Sequence, residues 1–233
     1  MLNDAPGKQR IADQLAGHLH AVSQRRRRRL DDPMPADFTR LKAWQADRLA
    51  ATHADLLADP RYRPAARFFL EELYGTHDFT VRDAEVARIL PTLVSVLPVP
   101  ALTVLTEAVK LDDLSESLDD DMVKALRRLD RPGAVDTATY RQAYAICGRR
   151  SDRERQIMLV GKVGAELDRI TRKPLLATTL SLMRRPAQAA GLGDLHRFLD
   201  AGFRAFRHMK GSAEFLEAIT QRETAFMAST MPG

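Results

Sequence analysis

Apolar residues recur at steps of three and four along almost the whole chain, and that period suits one kind of element. A helix brings residues i, i+3, i+4 and i+7 to one face, whereas a half-buried strand needs strict alternation. Ile11, Leu15, Leu19 and Val22 make a first stripe, and Phe38, Leu41, Leu49 and Leu56 a second. Phe69, Leu70, Leu73 and Tyr74 follow, then Val86, Ile89, Leu90, Leu93 and Leu97. Leu111, Leu114, Leu118, Met122, Leu126 and Leu129 keep the period, and Ile157, Val160, Gly164 and Leu167 carry it onward. No alternating run bounded by Asn-Gly or Asp-Gly interrupts them. The fold class is therefore all-α, a multi-helix bundle of about nine or ten helices.

Breakers set the divisions. Pro60 and Pro64, Pro174, Pro186, Gly191-Leu-Gly193 and Gly211-Ser212 separate periodic segments. Pro91 is expected to kink or end its helix. Arg131-Pro132-Gly133 is the strongest candidate for a sub-domain boundary. The chain then reads as a basic N-terminal helix over 1–34, a helical region over 35–131 and a C-terminal helical region over 134–233. Together these are expected to make one globular domain. Asp37 is the expected N-cap of the second helix, and Ser151-Asp-Arg-Glu154 reads as a capping box.

Composition bounds the setting. With 45% hydrophobic and 29% charged residues, the chain has no apolar run long enough to cross a bilayer. The N-terminus MLNDAPGKQRIADQLAG lacks the apolar core of a secretory signal. A single cysteine, Cys147, excludes a disulfide framework within a monomer and a thiolate zinc cluster. The expected compartment is a reducing cytoplasm, with no membrane partner.

Charge is segmented. Residues 1–30 carry +5, residues 31–148 carry −6, residues 149–210 carry +8 and the remainder −2, for a net +5. Such asymmetry either attracts an acidic partner or holds the chain's own parts together. The densest element is "SQRRRRRLDD", with Arg25, Arg26, Arg27, Arg28 and Arg29 in succession. At 100° per residue these surround a helix, so the run is expected to stay unburied on every side. The stripe from Ile11 to Val22 would continue onto Arg26 and Arg29, so the helix is expected to leave the core there or end. An exposed run of guanidinium groups suits an acidic protein surface or phosphates. No aromatic is interleaved and no nucleic-acid-binding motif accompanies it, which favours the protein surface. Asp31-Asp32 stands ready to pair with part of the run.

Other constellations carry less. Asp112-Asp113-Leu-Ser-Glu116 has the DDxxE spacing that holds magnesium in isoprenoid synthases, but no second acidic motif follows. Asp119 to Asp121 suit a helix start and its acidic first turn. His18 or His20, with Gly161 and Gly164, would be a haem oxygenase's ligand and close-approach glycines. Yet His18 borders an apolar stripe, and the glycines are equally explained by tight helix packing. The six histidines supply no HxxxH or ExxH pair, and no metal or cofactor is expected. Phe198, Phe203, Phe206, Met209, Phe215 and Phe226 read first as core, and otherwise as an apolar pocket or an oligomer face.

The stretch "RFFLEELYGTHDFTVRDAEVARILP" reads as helix stop, tight turn and helix start. Gly75 suits a left-handed C-cap, Thr80-Val-Arg-Asp83 a capping box and Phe79 the staple before it. The functional alternative gathers Tyr74, His77, Asp78, Arg82 and Asp83 around a pocket, with His77 as acid or base. Residues 68–98, "FFLEELYGTHDFTVRDAEVARILPTLVSVLP", resemble the signature FFLxxLYGxxDFxxRDxxxARxxPxxxxxLP of an uncharacterised family of proteobacterial cytoplasmic proteins. "LHRFLDAGFRAFRHMKGSAEFLEAITQRE" is similar to that family's C-terminal end, so the resemblance spans about residues 40–225. It implies a helical fold and brings no activity, cofactor or catalytic residue with it. The leading expectation is a non-enzymatic cytoplasmic helical protein that binds a macromolecular partner. A small-ligand binder or enzyme, non-specific nucleic-acid binding and a homo-oligomer stay open.

Overall fold

The computed structural model describes residues 5–73, 80–97, 99–129 and 135–231, and among them every regular element is helical. α1 (Ala5–Leu30), α2 (Pro35–Thr52), α3 (Ala54–Ala58) and α4 (Arg63–Phe68) lead into a π-helical turn, Phe69–Leu73. α5 (Thr80–Val96) and α6 (Val99–Arg128) follow, then α7 (Thr137–Cys147) and α8 (Arg150–Thr171). α9 (Pro174–Ala189), α10 (Gly193–Met209) and α11 (Ala213–Thr230) complete the chain. The all-α expectation holds, and none of these helices is long and apolar enough to cross a membrane.

α6 is the central element. It packs along α1 and also touches α2, α7 and α8. Near its start, Leu102 joins Leu15 and Leu19 of α1 and Val86 of α5 in one apolar cluster. Nearer its end, Met122, Val123 and Ala125 join Leu41 of α2, Tyr140 and Tyr144 of α7 and Met227 of α11. A third cluster joins Tyr62, Ala65 and Phe68 to Phe206 and Met209 of α10 and Phe215 of α11. The C-terminal aromatics are therefore mostly core. Phe226 packs against the rings of Tyr140 and Tyr144, and Phe198 against Phe68.

Several local expectations change. Asp37 lies in the first turn of α2, whose N-cap is Met34, because Pro35 already supplies a preset first helical residue. Ser151 lies inside α8 and not at its cap. Gly148 and Arg149, both at positive φ, turn the chain directly from α7 into α8. α5 runs on through Pro91 to Val96. Asp119, Asp120 and Asp121 lie deep within α6 and not at a helix start. The Pro132-Gly133 break falls outside the described residues, as do Tyr74, Gly75, His77, Asp78 and Phe79. Thr80 opens α5; Arg82 and Asp83 fall in its first turn, with side chains outside the description.

The two glycines of α8 differ. A Cβ on Gly164 would stand 2.5 Å from Leu216 Cδ2, so any side chain here would force Leu216 on α11 to shift. A Cβ on Gly161 would meet nothing nearer than Thr220 Oγ1 at 3.6 Å. Close helix packing accounts for Gly164 alone.

Candidate functional site

The arginine run does not leave the core. α1 stays on α6 to its end because α6 turns acidic where α1 turns basic. Asp112, Asp113, Glu116 and Asp120 recur at helical spacing on α6, and His18, Val22, Arg25, Arg26 and Arg29 recur likewise on α1. The two stripes meet. Arg26, 8% exposed, reaches both oxygens of Asp112 at 3.1 Å and Glu116 Oε1 at 3.1 Å. Arg29 donates to Asp120 Oδ1 from Nε at 2.9 Å and Nη2 at 2.7 Å, and pairs closely with Glu116. Its guanidinium also lies 3.7 Å from the centre of the Phe38 ring. Arg25 bridges Asp113 at 3.4 Å and Asp120 at 3.3 Å, and His18 Nδ1 sits 2.8 Å from the other oxygen of Asp113.

This corrects the expectation of a run unburied on every side. Five consecutive arginines do surround a helix, but three of them face an acidic groove that provides the counter-charge. Arg27 and Arg28 alone are left exposed, and no partner meets them among the described residues. Asp32 does not join the run; it pairs with Arg127 at 2.8 Å, which also holds Asp37 at 2.7 Å. The DDxxE residues are the acceptors of α1's cations, which accounts for that spacing without a metal.

The acidic stretch of α6 ties in further helices. Asp119 accepts from Lys42 Nζ at 3.0 Å and Gln45 Nε2 at 2.8 Å, both on α2. Asp121 accepts from Arg149 at 2.7 Å, which fixes the turn into α8. Burial alone would raise the Glu116 carboxyl, but Arg29, Lys42 and Arg26 overcome it and hold Glu116 below its ordinary range. Burial likewise opposes charge on Lys42, yet Asp119 and Glu116 carry its ammonium above the usual value. The layer is a set of matched ions in a poorly hydrated seam.

A second feature lies away from this layer. A small pocket of about 70 Å³ is walled by Leu49, Leu56, Phe69, Leu70, Phe215 and Ile219, with His53, Gln156 and Glu223 as its polar lining. Phe69 and Leu70 belong to the π-helical turn, a rare geometry that recurs at functional sites. Arg48 Nη1 donates to both Glu223 oxygens at 2.6 and 2.8 Å, and His53 Nε2 stands 3.3 Å from Glu223. Burial would raise the Glu223 carboxyl, but the bond from His53 and the charge of Arg48 hold it low. Arg222 grips Asp55 through two bonds of 2.6 and 2.7 Å and caps the same corner, holding Asp55 at about 2.

Of the residues expected around the turn, Tyr74, His77 and Asp78 lie outside the described residues, and Arg82 and Asp83 are described only as backbone of α5. Among the described residues, the pocket is lined by Phe69 and Leu70 just before that turn. His53 and Glu223 went unnoticed because 170 positions separate them and neither stands in a recognisable motif. Their pairing depends on α11 returning across the end of α2. As a catalytic pair they are poorly placed, since Glu223 is already bound to Arg48 and no nucleophile lines the pocket among the described residues.

The layered charges and the aromatic clusters define an all-α bundle with extensive internal ion pairing and, among the described residues, no constellation that names a chemistry. The chain belongs to the family described as a domain of unknown function (DUF8198), which matches residues 24–233 and so takes in Arg25 to Arg29. No curated protein and no solved structure matches the chain.

Proposed function

We propose that this is a non-catalytic helical protein of the cytoplasm that binds an acidic protein surface through the outer end of α1. One observation carries the reading. Arg27 and Arg28 face solvent, and a few positions further along the chain stand two large exposed apolar side chains, Leu30 at 78% and Met34 at 50% exposure. Cations bordering exposed apolar anchors suit a protein partner better than they suit bulk water. Nucleic acid is the weaker fit: backbone binding grows with the number of cations free to neutralise phosphates, and three of the five arginines are engaged within the chain.

A photo-crosslinking residue at position 30 tests this in cells. The expected product is one discrete protein adduct mapping to an acidic segment, lost when Arg27→Glu and Arg28→Glu are added. Adducts no different from those of a control surface position, or unaffected by the charge reversal, refute it. Duplex DNA is expected to show negligible mobility shift at physiological salt.

The pocket supports a second reading, a binder of a small, mostly apolar molecule. Its walls are apolar, its polar lining among the described residues is three side chains, and a π-helical turn forms part of it. Leu70→Trp would fill the space. The variant is expected to fold and to lose any ligand that native mass spectrometry finds on the wild type; retention of that ligand would place it elsewhere.

A further inference from the structure

A recess of about 260 Å³ opens where α10 hands over to α11, and cations, amides and one hydroxyl converge on it. Arg61, from the turn before α4, and Arg172, at the end of α8, both line it. Their Nη2 atoms lie 3.8 and 3.6 Å from the point where a Cβ on Gly211 would stand. A glycine at φ 137° thus lets two like charges approach one spot. Arg61 is held there by the backbone, its Nε donating to Met209 O at 2.9 Å.

Ser212, the N-cap of α11, also lines the recess. It is 3% exposed, yet its hydroxyl neither caps the helix nor meets another partner among the described residues. The hydroxyl is not one of the fully enclosed unpartnered atoms, so the little surface that Ser212 keeps includes it. α11 runs for 18 residues, and the amides of Ala213, Glu214 and Phe215 find no acceptor among the described residues. They bring the positive end of the helix dipole to the same place.

Two carboxylates border the recess, and each is already matched. Asp168 accepts from Arg172 Nη2 at 2.6 Å, and Glu214 from Arg61 Nη1 at 3.1 Å. The formal charge of the lining is therefore zero, and the partial charge of the helix end is left over. Glu214 keeps 71% of its side chain in water, so its pairing with Arg61 is weak and yields to a stronger acceptor. Arg172 meets Asp168 through one nitrogen, which leaves the rest of its fork for a ligand. Donors from so many directions exceed what the two oxygens of a carboxylate take up, and they suit the three acceptor oxygens of a phosphate group.

We propose that this recess binds a phosphate-class oxyanion, held by Ser212, the first amides of α11, Arg61 and Arg172. The ion is inorganic phosphate or the phosphate group of a small phosphomonoester. The space admits either, since one water takes about 30 Å³.

Titration of the full chain with inorganic phosphate and, separately, with glycerol phosphate tests this, at an ionic strength held constant with chloride. Amide NMR locates the site and calorimetry gives the affinity. Saturable shifts are expected at Ser212, Ala213, Glu214 and Phe215. Tighter binding of phosphate marks the free ion as the source, tighter binding of glycerol phosphate a phosphomonoester, and equal binding a site that reads the phosphate group alone. Arg172→Gln alters a side chain 65% exposed, so it should fold with little change in melting temperature and bind about tenfold more weakly. Ser212→Ala is expected to weaken binding to a similar degree, again with little change in melting, because the hydroxyl caps nothing. No saturable shift with either probe overturns the proposal. So do shifts confined to other amides, or wild-type affinity in both variants.

Discussion

Splitting the arginine run in two separates its structural members from its exposed ones. Arg26 has 7% of its side chain exposed and donates to Asp112 and Glu116; Glu116 is itself only 6% exposed on its side chain. Arg26→Gln removes the charge and leaves Glu116 with Arg29 as its hydrogen-bonding cation and Lys42 as a second nearby charge. Breaking a buried ion pair from one side costs about 3–5 kcal/mol. Asp112 keeps 35% of its side chain in water and recovers part of its hydration, so about 2–4 kcal/mol is the better expectation here. Arg29→Gln adds to the loss, because it strips Asp120, the second partner of Glu116 and the stacking on Phe38. By contrast, Arg27→Gln with Arg28→Gln removes two solvated charges and should stay within about 0.5 kcal/mol of wild type. Against a total stability of about 5–15 kcal/mol, the first change is large and the second negligible. Urea denaturation followed by far-ultraviolet circular dichroism measures both. At a slope near about 3 kcal/mol per molar, Arg26→Gln should lower the midpoint by roughly 1 M. Equal, small effects of the two sets of substitutions would mean that the seam is hydrated and holds nothing together, and the reasoning would fail.

Two further outcomes follow from the same structure. Gly164→Ala forces Leu216 to shift and should cost about 1–3 kcal/mol, while Gly161→Ala should be neutral or stabilising by up to about 1 kcal/mol; thermal melts of the two variants check the order. Glu116 has a folded pKa below its ordinary 4.5, so it contributes stability that is full above that value and lost as pH falls through the lower folded one; Glu116→Gln should flatten the acid limb of the stability–pH curve, and a limb that does not change excludes Glu116 as its source.

The fold class was legible because it rests on a local period. Each helix buries one face, and Leu15, Leu41, Leu118, Met122 and Phe206 all stand at stripe positions and all end fully buried. Helix ends were less legible, for a physical reason in each case. Ser151 and Glu154 have the right spacing for a capping box, but Gly148 turns the chain at positive φ and α8 begins before them. Asp136, which caps α7 by accepting from Thr139 N at 2.7 Å, is followed by no acid three residues on and so carried no box to recognise.

The charge pattern was visible and its meaning was not, because a counter-ion 86 residues away leaves no local trace. From α1 alone, five arginines must be solvated; from α6 alone, four acids at helical spacing look like a metal motif or a helix start. Only their juxtaposition turns both into one neutralised seam, and each half then explains the other. The same seam also changes what counts as a functional surface. With Arg25, Arg26 and Arg29 engaged inside the chain, the run offers a partner two cations and not five, and Leu30 and Met34 become as important to that surface as the arginines. A partner chosen by such a patch would read apolar shape together with charge, so its affinity should fall only modestly with salt. Binding to a polyanion through five free guanidinium groups would instead collapse as salt rises.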